Sequence, residues 1–144
     1  KNISKARIQG VELSWQTLIW GWNIQSNYSW IDPKNKETNK FLPLRSENLF
    51  TIQLDSSYGK FSYGGTIQAS SKRYIDLEEK YKLAGYSTTH LRVGYQINKH
   101  WSMKAKIDNL FDKEYATSAR FGLSQRDLAP GRMAMVSIKY IPFY

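Results

Sequence analysis

An all-β chain of antiparallel strands, making up about seven staves of a transmembrane β-barrel, is predicted by three features of the sequence. Apolar or aromatic side chains alternate with polar ones at period two in seven runs. No position of the apolar parity is charged, although 23% of all residues are. Tight connections between runs alternate with long polar ones, as they do at the two ends of an outer-membrane barrel.

The first run sets Val11, Leu13, Trp15, Thr17 and Ile19 against Glu12, Ser14, Gln16 and Leu18. After Trp20-Gly21 the second sets Trp22, Ile24, Ser26, Tyr28 and Trp30 against Asn23, Gln25, Asn27 and Ser29. The third (Phe50, Ile52, Leu54, Ser56, Tyr58) turns at Gly59-Lys60 into the fourth (Phe61, Tyr63, Gly65, Ile67, Ala69, Ser71), and a two-residue connection makes a hairpin. Leu91, Val93, Tyr95 and Ile97 form the fifth, which turns at Asn98-Lys99-His100 into Trp101, Met103, Ala105 and Ile107. The last holds Ala134, Val136, Ile138, Tyr140, Pro142 and Tyr144. Glu12, Asp55, Arg92, Lys104, Lys106, Asp108 and Lys139 all fall on the opposite parity. Lipid imposes that segregation, since Arg or Lys facing mid-bilayer costs roughly 2–4 kcal/mol.

Gly10 interrupts the parity between Ile8 and Val11 and suggests a β-bulge where the first strand begins. The connections near 32–47, 72–88 and 110–131 are long and polar, with one exposed helical turn expected at Asp76 to Leu83. Trp15, Trp22, Trp30, Tyr58, Tyr63, Tyr95, Trp101, Tyr140 and Tyr144 are read as aromatic girdles near strand ends, where such rings sit at the membrane interfaces.

Composition narrows the function. At 144 residues and 16.8 kDa the chain could hold one soluble domain, but aromatics reach 15%, with ten Tyr and five Trp. No stretch of eighteen consecutive apolar residues exists for a transmembrane helix, and Lys1 opens the chain without a signal-peptide core. The net charge of +9 raises nucleic-acid binding, but the charges spread along the chain instead of gathering in one basic stretch, so no nucleic acid is expected. Without Cys there are no disulfides or thiol nucleophiles. Asp108, Asp112 and Glu114 have no known metal-loop spacing and read as lumen or loop charges beside Lys104, Lys106 and Lys113. His90 and His100 read as a lumen residue and a turn residue, and no catalytic, metal or cofactor site is expected.

Four segments carry a resemblance. They are Ala6-Arg7-Ile8-Gln9-Gly10-Val11-Glu12, then Leu42-Pro43-Leu44-Arg45, then Asp108-Asn109-Leu110-Phe111-Asp112-Lys113-Glu114-Tyr115, and Pro130-Gly131-Arg132 ahead of a strand ending in Tyr144. Together they resemble the C-terminal barrel region of TonB-dependent outer-membrane receptors, the third matching the NLFDKxY motif of that family. The resemblance implies a 22-stranded barrel with an N-terminal plug, of which residues 1–144 would be the C-terminal portion, without plug or TonB box. An odd strand count agrees with a piece, since single-chain bacterial barrels have even counts.

The resemblance further implies a receptor in the bacterial outer membrane, and not an enzyme. It would import a scarce nutrient with energy relayed by TonB through the absent N-terminal region. Its partners would be lipid, lipopolysaccharide and the barrel assembly machinery, which reads the terminal strand at Tyr140 and Tyr144. The spacing from Gly85 to Gln96 through the Asn109 motif to Pro130 is most similar to the vitamin B12 receptor group, which makes cobalamin the expected ligand and a ferric siderophore or haem the alternative. Ligand contacts are expected in the extracellular loops, at Tyr74, Tyr81, Arg120, Phe121, Gln125 and Arg126, because aromatic and Arg side chains anchor binding patches. A soluble β-sandwich or lipocalin-like binding module and a passive porin are the competing readings of the same alternation.

Overall fold

The computed structural model describes residues 5–142. Eleven strands and no helix make up these residues: β1 (Ala6–Ile19), β2 (Trp22–Asn35), β3 (Asn48–Tyr58), β4 (Phe61–Ser70), β5 (Arg73–Tyr74), β6 (Lys82–Leu83), β7 (Tyr86–Gln96), β8 (Trp101–Asp108), β9 (Ala116–Arg120), β10 (Gln125–Leu128) and β11 (Met133–Tyr140). Seven of them form one antiparallel sheet in the order β1-β2-β3-β4-β7-β8-β11, and these are the seven alternating runs. Each strand pairs with the next run in sequence, so the sheet is a simple meander.

Register joins the seven separate parities into one surface. Trp15 lies opposite Ser26, Ser26 opposite Ile52, and Ile52 opposite Ile67. Leu91 faces Gly65 on one side and Ile107 on the other, and Ile107 faces Ala134. Directly opposed residues point to the same side of a sheet, so all the predicted apolar positions within these strands share one face. Leu13 is 61% exposed, Val136 66% and Ile138 64%; Leu42 and Leu83 are the buried hydrophobic residues among those described. A soluble sandwich would cover this face with a second sheet. Here it is a single layer with no core beneath, the arrangement that hydrocarbon, not water, stabilises.

Aromatic rings gather where the lipid would meet water. At the tight-turn end Trp22 packs edge-on against Tyr63 at 5.3 Å, Phe61 against Tyr95 at 4.6 Å and Trp101 against Tyr140 at 4.6 Å. Trp30 and Tyr28 mark the other end, with the Tyr28 hydroxyl donating to Asn48 Oδ1 at 2.6 Å. Trp22 and Trp30 lie about 26 Å apart along β2 at ~3.3 Å per residue, which matches the ~25 Å apolar band of such barrels. Trp15 departs from the girdle expectation, since it sits mid-strand opposite Ser26.

Several boundaries differ from expectation. β1 and β2 pair without a break from Ala6↔Asn35 to Ile19↔Trp22, so there is no bulge at Gly10. Gly10 is instead a close approach, where an added Cβ would collide with the Trp30 carbonyl oxygen. Ile8 keeps its own parity because that end of the hairpin runs past the apolar band, where lipid no longer selects a face. Each of these two strands has 14 residues, more than the ~9–11 that cross hydrocarbon. Asp76 to Leu83 holds no helical turn: the Asp76 carboxylate takes the amides of Glu78, Lys80 and Tyr81 and closes a turn between β5 and β6. The last two long connections therefore carry hairpins of their own, β5–β6 and β9–β10. β11 stops at Tyr140, two residues before Pro142, which has no N–H to offer a ladder. Tyr144, expected in the terminal assembly signal, lies outside the described residues.

Candidate functional site

Two regions carry the polar chemistry: the face of the sheet opposite the apolar one, and the cluster of long connections at one end. On the polar face Arg92 (β7) reaches across β4 to Asp55 (β3), with Nε at 2.8 Å and Nη2 at 2.5 Å from Oδ1, while Nη1 donates to Thr66 Oγ1 at 2.8 Å. Gln53 Nε2 holds the other Asp55 oxygen at 2.7 Å. The pair spans two inter-strand gaps, about 10 Å, and does so because Gly64 lies beneath it. A Cβ at Gly64 would collide with Asp55 Oδ1 and come within 3.1 Å of Arg92 Nη2. Gly64→Ala is therefore expected to break the pair and destabilise the barrel by about 1–3 kcal/mol, as overpacking does. Gly65→Ala, whose added Cβ meets its neighbours at 3.4 Å, is the control, and denaturant unfolding of the protein in detergent compares them. Equal midpoints would show that the wall relaxes around the methyl.

Further along this face, His90 Nδ1 lies 3.2 Å from Asp108 Oδ1, His90 Nε2 lies 3.1 Å from Thr88 Oγ1, and Lys106 Nζ donates to Asp108 Oδ2 at 2.7 Å. Asp108 lies 18 residues from His90 in sequence, so spacing alone does not mark it as a neighbour. A signal existed: the turn after Gln96 sets Leu91 against Ile107, and the same register puts His90 against Asp108.

At the loop end, the expected motif residues act as structural ties. Asn109, 4% exposed, accepts the Lys113 amide on Oδ1 at 2.8 Å and donates from Nδ2 to the Lys113 carbonyl at 3.0 Å. Asp112 Oδ1 accepts the amide of Arg132 at 2.7 Å, and an added Cβ on Gly131 would stand 2.8 Å from that oxygen. Arg132 Nη1 lies 3.5 Å from the Leu110 carbonyl, so the NLFDKEY segment and the PGR segment fasten the two ends of the last connection. Tyr115 stacks on Tyr86 at 3.8 Å, and burial together with that second phenol raises its pKa. Phe111 is 75% exposed and Pro130 is exposed.

Of the expected ligand contacts, the structure brings some together and separates others. Tyr81 lies against the β9–β10 tip, 3.2 Å from where a Cβ on Gly122 would be. Phe121, at that tip, is 84% exposed. Arg120 and Gln125 lie opposite each other, whereas Arg126 opposes Ala119 and so points to the other side of the hairpin. Arg126 lines a cleft of about 260 Å³ with Lys82, Lys113 and Glu114. Tyr74 pairs with Lys82 on the β5–β6 hairpin; its ring stacks on Phe41 at 5.9 Å, and its carbonyl accepts the Leu44 amide at 2.7 Å.

The sequence did not single out Arg73, which holds these connections together. It is 7% exposed, and its Nη2 donates to the carbonyls of Ala116 at 2.6 Å and Thr117 at 3.1 Å. Lys40 Nζ binds Glu78 Oε2 at 2.8 Å, a bond that raises the Lys40 pKa. Among the described residues no group of three His, Asp or Glu side chains is placed to hold a metal ion.

The Asp76 turn carries a pH dependence. Burial pushes its carboxyl upward, but three backbone amides outweigh burial and leave the pKa below the ordinary value. A depressed folded pKa gives stability that is present above the unfolded value, roughly pH 4, and lost as pH falls through the folded one. Amide exchange at Glu78, Lys80 and Tyr81 is expected to accelerate below about pH 4 beyond its intrinsic pH trend. Asp76→Asn should flatten that dependence; an unchanged profile would show that the carboxylate does not close the turn.

Comparison with known proteins gives a consistent picture. A family model described as TonB dependent receptor-like, beta-barrel, matches residues 1–110. The siderophore receptor PiuA from Acinetobacter baumannii has a TM-score of 0.81 at 22% identity, covering 94% of this chain and 22% of its own. The ferric yersiniabactin uptake receptor FyuA from Yersinia pestis has a TM-score of 0.83 at 19% identity, over 94% and 23%. For the copper transporter OprC the values are 0.79 and 23%, over 94% and 23%. The chain spans about a fifth of the length of the solved structures it matches. At such identities the likeness is one of fold.

Proposed function

This chain belongs to the TonB-dependent receptor β-barrel family of the outer membrane, and from that premise we propose that it forms the C-terminal wall of a barrel importing a scarce nutrient with energy passed through TonB. The observation that carries the proposal is the family match over residues 1–110, a family of transport receptors and not of enzymes. Two physical features support it. Among the described residues one sheet face is apolar and unpartnered, and β1 and β11 each pair on one side only. In hydrocarbon, unpaired backbone groups cost several kcal/mol each, so further strands beside both edges would complete the structure. The expected domain organisation, residues 1–144 as a C-terminal portion with the plug encoded upstream, is part of this proposal.

For the ligand we favour an iron chelate over cobalamin. By name PiuA is a siderophore receptor, FyuA a ferric yersiniabactin uptake receptor and OprC a copper transporter, whereas cobalamin rests on motif spacing alone. Uptake of radio-iron from a panel of ferric siderophores, and of labelled cyanocobalamin, by cells with and without the full-length receptor tests both. Saturable, receptor-dependent uptake of a ferric siderophore that stops when the proton gradient is collapsed is the expected result. Uptake that survives collapse would replace the proposal with a passive pore, and uptake of cyanocobalamin alone would restore the first ligand assignment.

A further inference from the structure

The three long connections share one small part. The β5–β6 hairpin touches both of the others, yet only Arg73↔Leu83 and Tyr74↔Lys82 pair within it, and a hairpin that short is not stable by itself. Its two faces hold different neighbours, because consecutive residues of a strand point to opposite sides. On one face Arg73 donates to the Ala116 and Thr117 carbonyls at the start of β9. Its guanidinium also lies over the Tyr86 ring, 5.7 Å from the centre, and Tyr86 in turn stacks on Tyr115. Leu83, opposite Arg73 and 4% exposed, shares that face and lines a cleft with Leu123 and Leu128 of the last connection. On the other face Tyr74 stacks on Phe41.

Three bonds fasten the 36–47 connection to the same hairpin. The Leu44 amide donates to the Tyr74 carbonyl at 2.7 Å, the Phe41 amide to Glu79 Oε1 at 2.7 Å, and Lys40 Nζ to Glu78 Oε2 at 2.8 Å. Two residues in these bonds, Leu44 at φ 58° and Glu79 at φ 60°, have left-handed backbones, a conformation disfavoured for residues that carry a Cβ. Such strain persists only where the surrounding contacts over-determine it, so this seam is a built contact and not a chance approach.

We propose that Arg73 is a positioning residue that makes the three connections open and close as one cooperative unit, with β5–β6 as their shared part. Without Arg73 the hairpin loses its hold on β9 and, too short to persist alone, releases the Phe41 and Leu44 amides on its far side. The coupling is reciprocal, as linkage requires, so whatever holds the β9–β10 tip at Phe121 also holds the 36–47 connection. The inference rests on the barrel reading given above only for placing these connections at the extracellular mouth; the contacts themselves lie within the chain.

The test is amide exchange on the full-length receptor in detergent, resolved to single residues. Arg73→Gln touches no bond of Phe41 or Leu44, yet exchange at both is expected to quicken by ~10-fold or more, the scale of a lost hydrogen bond from a charged group. Exchange at Ala129, whose amide donates to the Tyr115 carbonyl, should quicken with them. Arg73→Lys should be intermediate, because Nη2 alone makes both carbonyl bonds and an ammonium group restores part of that donation. In the reverse direction Tyr74→Ala, which removes the Phe41 stack and keeps the backbone carbonyl, should quicken Ala129. Amides within β3 and β4 should keep their rates in all three variants, which separates coupling from a general loss of stability. Faster exchange at Ala129 alone in Arg73→Gln would overturn the proposal, as would a Tyr74→Ala effect confined to residues 36–47. An equal rise in β3 and β4 would also overturn it, by assigning Arg73 to the stability of the whole wall. Exchange requires neither ligand nor transport, so absence of iron-chelate uptake with the coupled exchange intact would count against the proposed ligand and not against the unit.

Discussion

Ile52→Lys is expected to cost the folded barrel about 2–4 kcal/mol in lipid, the depth-dependent penalty for an ammonium group at mid-bilayer. Ile52 stands near the middle of β3, opposite Ser26 on one side and Ile67 on the other, on the face where every predicted apolar position lies. The long Lys chain cannot reach either interface easily from that depth, and its amine has no partner there. One residue along, Gln53→Lys places the same group on the polar face, 2.7 Å from Asp55 as the amide now stands. That control should change stability by less than about 1 kcal/mol, the scale of a solvated ion pair. Unfolding of the full-length receptor from lipid vesicles in denaturant measures both. A similar loss for the two variants would mean that the alternating faces do not separate lipid from lumen, and the membrane assignment would fail with it.

That pairing of neighbours with opposite expectations shows what alternation can and cannot reveal. Period two places Ile52 and Gln53 on different sides without any knowledge of the fold, and tight turns fix each local hairpin. Both were legible because each depends on residues close in sequence. The Asp55–Arg92 pair was not, since it joins β3 to β7 across β4 and depends on a glycine between them. Arg73 was missed for a related reason. A charged residue in a polar connection carries no signal of burial, and its partners are backbone carbonyls forty-odd residues away. Asp76 to Leu83 misled by composition: an acidic, Leu-containing segment suits a helix start, but an aspartate that takes three following amides competes with helical bonding and favours a closed turn. At the candidate site, residue type identified Tyr81 and Phe121 as loop aromatics, while only the strand pairing of β9 with β10 could show that Arg120 and Arg126 face opposite ways.

Asn109→Ala should loosen the whole connection from Leu110 to Arg132. Asn109 sits at φ 53°, in the left-handed region where Asn is tolerated and Ala is strained by roughly 1–2 kcal/mol. Its side chain also closes both polar groups of Lys113, and Ala leaves that amide and carbonyl without their partner at a further cost of about 1–3 kcal/mol. The tie between Asp112 and Arg132 depends on this turn, because the Asp112 amide itself donates to the Asn109 carbonyl at 2.9 Å. Combined, a loss of about 2–5 kcal/mol corresponds to amide exchange at Lys113 and Arg132 that is roughly 30- to 4,000-fold faster. Asn109→Asp retains an acceptor for the Lys113 amide and tolerance of the left-handed region while losing the donor, so its effect should be intermediate. Exchange measured on the intact receptor, with protease cleavage between 113 and 129 as a second reading, orders the three proteins. If alanine leaves both unchanged, the motif is not what fastens this connection. If the expected order holds, the same turn fixes where the β9–β10 hairpin presents Phe121.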